Sequence, residues 1–134
     1  MRVWTNGCFD ILHRGHIEMF KYAKSLGDYL IVGIDSDARV TEAKGPNRPI
    51  NNQKDRKRIL EAIRYIDEVI IFNDDADLKK KIKQSKIDIL IVGSDWQHKE
   101  VIGSKFAKKL CFFNRLRKYS TTNIIEKVCD GVRV

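Results

Sequence analysis

The sequence predicts a Rossmann-like, doubly wound α/β fold with a parallel five-stranded sheet, as a single domain over residues 1–134. Short apolar segments rich in β-branched residues alternate with amphipathic stretches of helical period, which indicates repeated strand–helix–strand units. The apolar segments lack polar alternation, as is typical of strands buried on both faces. Right-handed crossovers between such strands leave few alternatives to this fold. No internal repeat or linker marks a second domain.

Each predicted element follows from its own segment of the chain. The predicted strands are residues 3–5, 29–34, 68–72, 87–92 and 110–113. The predicted helices are residues 15–25, 53–63, 76–85 and 121–129. Asn51 and Asn52 are of the type that caps a helix N-terminus, and they directly precede the second helix. Residues 37–50 and 94–104 are long, polar and interrupted by glycine or proline, so they are predicted to be binding loops.

Composition restricts the class of protein. The hydrophobic share of 43% and the charged share of 33% are typical of globular proteins, and no apolar stretch is long enough to cross a bilayer. The start of the chain lacks the pattern of a secretory signal, so we expect a cytoplasmic protein. Cys8, Cys111 and Cys129 are odd in number and widely spaced, which fits reduced thiols. The net charge of +8 attracts anions, which leaves nucleotides, nucleic acid and acidic partners open.

The loop after the first strand carries the clearest chemical pattern. Residues 5–16 are Thr-Asn-Gly-Cys-Phe-Asp-Ile-Leu-His-Arg-Gly-His, and they lead into the first helix. Gly7 and Gly15 allow the backbone to approach a ligand, and the N–H groups at a helix start favour phosphate. His13 and His16 are three residues apart, so both imidazoles can reach one anionic group there. The alternative is that they cap the helix or bind a metal, although a third metal ligand at short spacing is missing.

The pattern Gly-x-Phe-Asp-x-Leu-His-x-Gly-His over residues 7–16 resembles the signature of the cytidylyltransferase-like nucleotidylyltransferase superfamily, whose His-x-Gly-His motif binds a triphosphate. The resemblance extends from Thr5 to about Val128. It implies transfer of a nucleoside monophosphate from a nucleoside triphosphate to a small phosphorylated alcohol or sugar, with release of pyrophosphate. It also implies a set of nucleotide-binding residues: Thr5, Gly7, Cys8, Phe9, Gly15, Gly93, Asp95, Trp96, Ser120, Thr121 and Thr122.

Four residues are predicted to be catalytic: His13, His16, Lys44 and Arg115. Lys44 stands where relatives carry a lysine that neutralises phosphate during transfer. Arg115 lies five residues before Ser120, as in the Arg-Thr-x-Gly-x-Ser-Thr-Thr pattern of cytidylyltransferases, but residues 116–119 are Leu-Arg-Lys-Tyr and lack its glycine. The segment 120–122 resembles the Ser-Thr-Thr motif that closes the site on the β and γ phosphates, although taken alone it fits a helix cap better.

Two residues are predicted to bind the acceptor substrate. Arg56 resembles the arginine that relatives direct at the substrate phosphate, while a solvated helix face remains an alternative for its basic segment. Asp37 is a candidate for the acceptor or for the metal-bound nucleotide. Asp10 is expected to be structural, because aspartates commonly end strands and cap helices. Mg²⁺ is expected as a cofactor, held mainly by the nucleotide phosphates and water.

Two subfamilies compete for the substrates. Residues 5–10, 34–37, 44–45, 48–50 and 100–104 resemble the heptose-phosphate adenylyltransferases of lipopolysaccharide precursor synthesis, which favours ATP. Other segments resemble glycerol-3-phosphate cytidylyltransferase, which favours CTP: residues 27–30, 64–70, 93–96 and Arg115. We predict transfer of CMP from the sequence. The reason is that two features, the loop with Asp95 and Trp96, and Arg115, lie near the nucleotide in that family. Transfer of AMP to a heptose phosphate is the alternative.

Two further expectations concern partners. The segment 64–67, Arg-Tyr-Ile-Asp, resembles a stretch that relatives use at a twofold interface, so we expect a homodimer. A nucleic-acid-binding module is the alternative to an enzyme, and it is suggested by the lysines of residues 79–83 and by the basic loop 115–119. Its support is charge alone, because the chain lacks an interleaved aromatic and basic pattern. We therefore expect no nucleic acid and no membrane partner.

Overall fold

The computed structural model describes residues 1–114 and 120–131. The strands are β1 (Arg2–Gly7), β2 (Tyr29–Asp35), β3 (Glu68–Phe72), β4 (Ile89–Gly93) and β5 (Lys109–Phe113). The helices are α1 (Arg14–Ser25), α2 (Asp37–Lys44), α3 (Gln53–Glu61), α4 (Asp75–Gln84) and α5 (Thr121–Gly131). Short 3-10 turns lie at Ser94–Trp96 and Ser104–Phe106.

The five strands form one parallel sheet in the order β3-β2-β1-β4-β5. The chain moves outward from β1 through β2 to β3, and then returns to the other side of β1 with β4 and β5. This reversal makes the carboxyl ends of β1 and β4 the switch point, where open α/β sheets bind ligands. The predicted fold class, a Rossmann-like doubly wound parallel sheet of five strands, is confirmed.

Alternate strand residues build one apolar layer on each face of the sheet. On one face Val3 packs with Phe20 of α1 and Leu60 of α3. On the other face Trp4 packs with Leu78 of α4. Each such buried side chain contributes about 1.5–3 kcal/mol relative to an exposed one. Because helices cover both faces, the edge formed by the strand ends is where polar groups can gather.

Residues 37–44 form helix α2, which corrects the prediction of a binding loop over residues 37–50. The hydroxyl oxygen of Ser36 caps this helix by accepting from the N–H of Arg39 at 3.3 Å. Only Val40 of the helix is buried, so the segment lacks the apolar face by which a helix is recognised in a sequence. Residues 45–50 lie outside helices and strands, as predicted.

The lysine-rich segment of α4 is largely a solvated helix face. Leu78 is buried, whereas Lys79 and Lys80 are exposed. The Nζ of Lys81 donates to the carbonyl oxygen of Ile71 at 2.6 Å, so that lysine is used within the fold. Within the described residues, no helix combines the length and the apolar character that a membrane span requires.

Candidate active site

A cleft of about 580 Å³ opens at the carboxyl edge of the sheet, over the switch point between β1 and β4. The start of α1, the end of α2 and the start of α5 also border it. Most of the predicted site residues line this cleft: Thr5, Gly7, Cys8, Phe9, His13, Gly15, His16, Lys44, Gly93, Asp95, Trp96, Ser120, Thr121 and Thr122. The two motifs, which lie near opposite ends of the chain, therefore meet in one cavity.

Phe9 shapes the loop that follows β1. Its φ of 49° lies in the left-handed region, which residues other than glycine rarely adopt. The turn brings the Phe9 ring over Gly7, where an added Cβ would lie 3.1 Å from the ring. The same ring meets His16 edge-on with centroids 5.3 Å apart, and it packs on Phe20 at 5.2 Å. Phe9 thus holds the His16 ring against the core.

His13 and His16 stack at the N-terminus of α1. Their ring centroids are 3.8 Å apart and their planes differ by 21°. The backbone N–H of His13 donates to Nδ1 of His16 at 3.3 Å. A neutral His16 therefore carries its proton on Nε2, which makes that atom a hydrogen-bond donor. Together with the partial positive charge of the helix end, this arrangement suits an anionic ligand.

The start of α5 is tied to the histidine loop. The Oγ of Ser120 accepts from the N–H of Asn123 at 3.3 Å and so caps the helix. The Oγ1 of Thr121 donates to the carbonyl oxygen of Ile11 at 2.6 Å. Because a threonine hydroxyl has one proton, Thr121 cannot also donate to a phosphate while it holds Ile11. The hydroxyls of Ser120 and Thr122 can still donate to a ligand.

Lys44 differs from the other cleft cations in its electrostatic surroundings. Among the lysines and arginines of residues 1–114 and 120–131 that line the cleft, Lys44 alone has no ion pair. Arg39 binds Asp35 at 2.7 Å. Burial raises the pKa of the Asp35 carboxyl, and the Arg39 guanidinium opposes that shift. The exposed Lys44 ammonium is therefore the cation best placed to pair with a ligand.

Several lining residues were not predicted from the sequence: Asn6, Asp10, Met19, Asp35, Arg39, Arg48, Leu78, Val92, Val101, Ile102 and Phe113. Asp10, expected to be structural, has a fully buried side chain that accepts from the N–H groups of Ile50 at 2.7 Å and Asn51 at 2.8 Å. It also pairs with the Nε of Arg48 at 3.4 Å. Asp10 therefore anchors the loop that precedes α3. Asn6 directly precedes Gly7 of the motif, and this position was the sequence feature that could have identified it as a cleft residue.

The comparison with known protein families agrees with this geometry. The family model described as cytidylyltransferase-like matches residues 4–127. The chain belongs to the cytidylyltransferase-like family. This confirms the superfamily predicted from the His-x-Gly-His motif, which is a superfamily of nucleotidylyltransferases.

This cytidylyltransferase-like chain is similar to part of longer bacterial proteins. It is 48% identical over 126 residues to the bifunctional protein HldE of Campylobacter fetus subsp. fetus (strain 82-40) and to that of Helicobacter pylori (strain P12). In both cases the match covers 94% of this chain and 27% of the relative. The chain therefore spans about a quarter of the length of these curated relatives.

Two solved structures resemble this cytidylyltransferase-like fold. The lipopolysaccharide core biosynthesis protein from Thermoplasma volcanium GSS1 has a TM-score of 0.70 and 26% sequence identity, and the match covers 85% of this chain and 97% of that chain. A protein of unknown function from Archaeoglobus fulgidus has a TM-score of 0.65 at 18% identity, with coverage of 90% and 94%. The second likeness shows the fold alone.

Arg56 and Asp37, predicted to bind the acceptor, do not line the cleft of this cytidylyltransferase-like chain. The Arg56 side chain is fully buried, which corrects both the substrate contact and the solvated face considered for it. Its guanidinium donates to the carbonyl oxygens of Cys8, Asp35 and Asn51 at 2.8–2.9 Å, and to Oδ1 of Asp37 at 2.8 Å. These bonds join the ends of β1 and β2 to the start of α3. Arg56 is thus a structural residue beneath the site.

We predict that Arg56→Met lowers the free energy of unfolding by about 3 kcal/mol, because three carbonyl oxygens and one carboxylate lose a buried partner. Urea denaturation followed by circular dichroism measures the change. Arg58→Met, at an exposed position of the same helix, is the matched control and is expected to change stability by less than about 0.5 kcal/mol. Equal stability of the two variants would contradict the structural role.

Cys8 and Arg115 complete the set of predicted site residues. Arg115 and the basic loop 115–119 lie outside the described residues. Cys8 lines the cleft, but burial raises the pKa of its thiol, with Lys44 and Arg56 opposing the shift. The thiol is therefore neutral near pH 7 and poorly suited to act as a nucleophile.

The carboxylates on the β1 and β2 sides of the cleft already have partners. Asp10 accepts from backbone N–H groups, and Asp35 binds Arg39. Within the part of the chain that the structure describes, no group of three or more His, Cys, Asp or Glu side chains is arranged to hold a metal ion. The donor set of this site therefore suits an anion better than a bare divalent cation.

Proposed function

We propose that this chain transfers a nucleoside monophosphate from a nucleoside triphosphate to a phosphorylated sugar or alcohol and releases pyrophosphate. The observation that carries the proposal is the convergence of His13, His16 and the start of α5 on one cleft. Two helix N-termini directed at one cavity favour a polyanion, and imidazole donors strengthen that preference. A triphosphate lying between the two helix ends satisfies both sets of donors.

The reaction needs positioning and charge neutralisation rather than a protein nucleophile. An oxygen of the acceptor phosphate attacks the α-phosphorus, and the bond from that phosphorus to the bridging oxygen of the β-phosphate breaks. Negative charge increases on the departing pyrophosphate, where His13 and His16 donate hydrogen bonds. Lys44 screens the repulsion between the acceptor phosphate and the α-phosphate. Ser120 and Thr122 hold the β and γ phosphates.

Mg²⁺ belongs to this proposal as a companion of the triphosphate. Since the carboxylates of Asp10 and Asp35 are engaged within the fold, phosphate oxygens and water are the ligands expected to hold it. The ion would offset phosphate charge. The homodimer predicted from residues 64–67 stays a prediction.

Within this reaction class we propose ATP as the nucleotide and a heptose phosphate as the acceptor. Support comes from the segments that resemble heptose-phosphate adenylyltransferases, and from 48% identity to proteins named HldE. A solved relative named as a lipopolysaccharide core biosynthesis protein agrees with that resemblance. The relatives therefore favour the alternative over the CMP transfer that the sequence prediction chose.

Transfer of CMP to a polyol phosphate such as glycerol 3-phosphate is the second candidate. Trp96 favours it, because the loop of residues 93–96 resembles glycerol-3-phosphate cytidylyltransferase and the Trp96 ring, 45% exposed, lines the cleft. An exposed indole offers an apolar face to a nucleoside. A stacking surface accepts purines and pyrimidines alike, so it supports this candidate less than the relatives support ATP.

The decisive experiment measures pyrophosphate release by the purified chain with Mg²⁺. ATP and CTP are each combined with a heptose phosphate and with glycerol 3-phosphate. We expect turnover with ATP and the heptose phosphate, with kcat/KM at least about tenfold above any other pair, because one missing polar contact at a nucleotide base costs about that factor. Turnover with CTP and glycerol 3-phosphate would establish the second candidate instead. Absence of turnover with every pair would reject both.

A further inference from the structure

The cleft has a second wall on the face of the sheet opposite the histidines. The Oγ1 of Thr5 contacts the Sδ of Met19 of α1 at 4.0 Å, so Thr5 faces α1. The next residue, Asn6, bonds to Trp4, which packs with α4. Six of the residues that line the cleft on this face form what we call the α4-side compartment: Asn6, Asp35, Arg39, Leu78, Val101 and Ile102.

The charges of the α4-side compartment are balanced within the fold. Arg39, its cation, binds Asp35 at 2.7 Å and Asp75 at 2.6 Å. Leu78 and Val101 form an apolar wall beside these groups. A phosphate placed there would find a guanidinium already shared by two carboxylates. The compartment therefore suits an uncharged group that both donates and accepts hydrogen bonds, which is the property of a sugar hydroxyl.

Asn6 has a fixed orientation in this compartment. The Nε1 of Trp4, whose side chain is fully buried, lies 3.0 Å from the Oδ1 of Asn6. An indole N–H only donates, so the atom facing it must be the amide oxygen. The Nδ2 group of Asn6, with two N–H donors, is then left for the cleft. The buried tryptophan thus fixes the Asn6 amide in the orientation in which its N–H groups are available as donors to the cleft.

Gly33 makes this pairing possible. It is the partner of Asn6 in the register between β1 and β2, and it has no side chain over Trp4. An added Cβ at residue 33 would lie 2.5 Å from Cζ2 of Trp4 and 3.2 Å from Cβ of Asn6. Glycine weakens a strand interior, and it commonly marks a close approach of another group. Here the group is the indole that orients Asn6.

We propose that Asn6 is a specificity-determining residue, which donates from Nδ2 to a hydroxyl of the acceptor's sugar or polyol while Trp4 holds its Oδ1. The proposal rests on the proposed nucleotidylyl transfer, because it assigns the acceptor's uncharged part to the α4-side compartment. Asp35 supplies an accepting oxygen in the same compartment. The phosphate of the acceptor then extends toward Lys44 and the histidines.

Asn6→Asp separates this role from a purely structural one. Aspartate keeps an oxygen for the Trp4 N–H, but its second oxygen replaces the donor that faces the cleft. We expect Kd and KM for the heptose phosphate to rise about tenfold or more, the usual result of losing a hydrogen bond and leaving its partner unpaired. The affinity for ATP, which carries more negative charge, is expected to change less. If the new charge acted only by general repulsion, it would weaken ATP binding more than binding of the heptose phosphate.

Two companion variants complete the test. Asn6→Ala removes the donor without adding charge and is expected to raise the acceptor KM by a similar factor. Asn73→Asp makes the same change at an exposed position just after the end of β3, outside the cleft lining, and is the matched control. Trp4→Phe in the Asn6→Ala background is expected to add no further loss of acceptor affinity, since the orienting bond then has no function. Thermal unfolding checks that each variant is folded.

Binding is measured by calorimetry with the heptose phosphate and with glycerol 3-phosphate, so the result does not depend on turnover. Unchanged acceptor affinity in a folded Asn6→Asp variant would overturn the inference. So would an equal or larger loss of ATP affinity, or failure of both acceptors to bind the wild-type chain. Failure of the proposed function is a different result, namely acceptor binding with no pyrophosphate release from any nucleotide.

Discussion

His16→Ala is expected to lower kcat by about 100-fold or more while the chain stays folded. The His16 ring is held between Phe9 and His13, and its Nδ1 accepts from the backbone of His13. The remaining ring nitrogen is therefore a positioned donor for charge that develops in the transition state. Removing one such donor commonly costs a factor of 10²–10³. Steady-state pyrophosphate release at saturating ATP and acceptor measures the loss.

His98→Ala is the matched control for that experiment. His98 is the third histidine of the chain, is exposed, and does not line the cleft. Its replacement is expected to leave kcat within about twofold of wild type, as is usual for surface positions. The melting temperatures of both variants must stay close to that of wild type for the comparison to hold. Normal turnover by a folded His16→Ala variant would remove this residue from the mechanism.

Local sequence information was sufficient to place the histidine loop at the cleft. The Gly-rich loop and His13-x-x-His16 lie on consecutive residues, so their meeting requires only that a strand end and a helix begin there. The position of Ser120 required one more inference, that carboxyl ends of parallel strands share an edge. The continuous apolar character of the predicted strands indicated a parallel sheet, and such a sheet binds ligands at the carboxyl ends of its strands. Periodicity and topology together therefore located the cleft.

Burial and side-chain direction were beyond the reach of the sequence. Arg56 is in a basic segment, and no pattern distinguishes a guanidinium that binds carbonyl oxygens from one in solvent. Helix α2 was missed because one buried residue, Val40, gives no apolar period. The role inferred for Asn6 depends on the indole of Trp4 two residues earlier, and a strand pattern records only that both share a face. Hydrophobic periodicity records none of these three features.

Lys44→Gln is expected to lower kcat and kcat/KM for the acceptor together, by about 100-fold, because its charge is needed most when two phosphates approach each other. Lys44 is the last residue of α2. The chain turns at the next residue, Gly45, whose φ of 103° is a conformation that residues with a side chain rarely adopt. The N–H of Gly45 donates to the carbonyl oxygen of Thr41 at 2.8 Å, which fixes this helix end. The ammonium is exposed, and no ion pair to a carboxylate is found for it among the described residues, although it lies close enough to Asp35 to lower the pKa of that carboxyl.

The form of the kinetic loss distinguishes two roles for Lys44. If the ammonium only attracts anions, Lys44→Gln raises KM and leaves kcat unchanged, and raising the salt concentration in the wild type produces the same pattern. If it stabilises the transition state, kcat falls at every salt concentration, and Lys44→Arg restores part of it because the charge returns with altered geometry. Lys54→Gln, exposed on α3 and absent from the cleft lining, controls for the change in net charge. A loss confined to KM would therefore assign Lys44 to binding and leave the histidines to carry the chemical step.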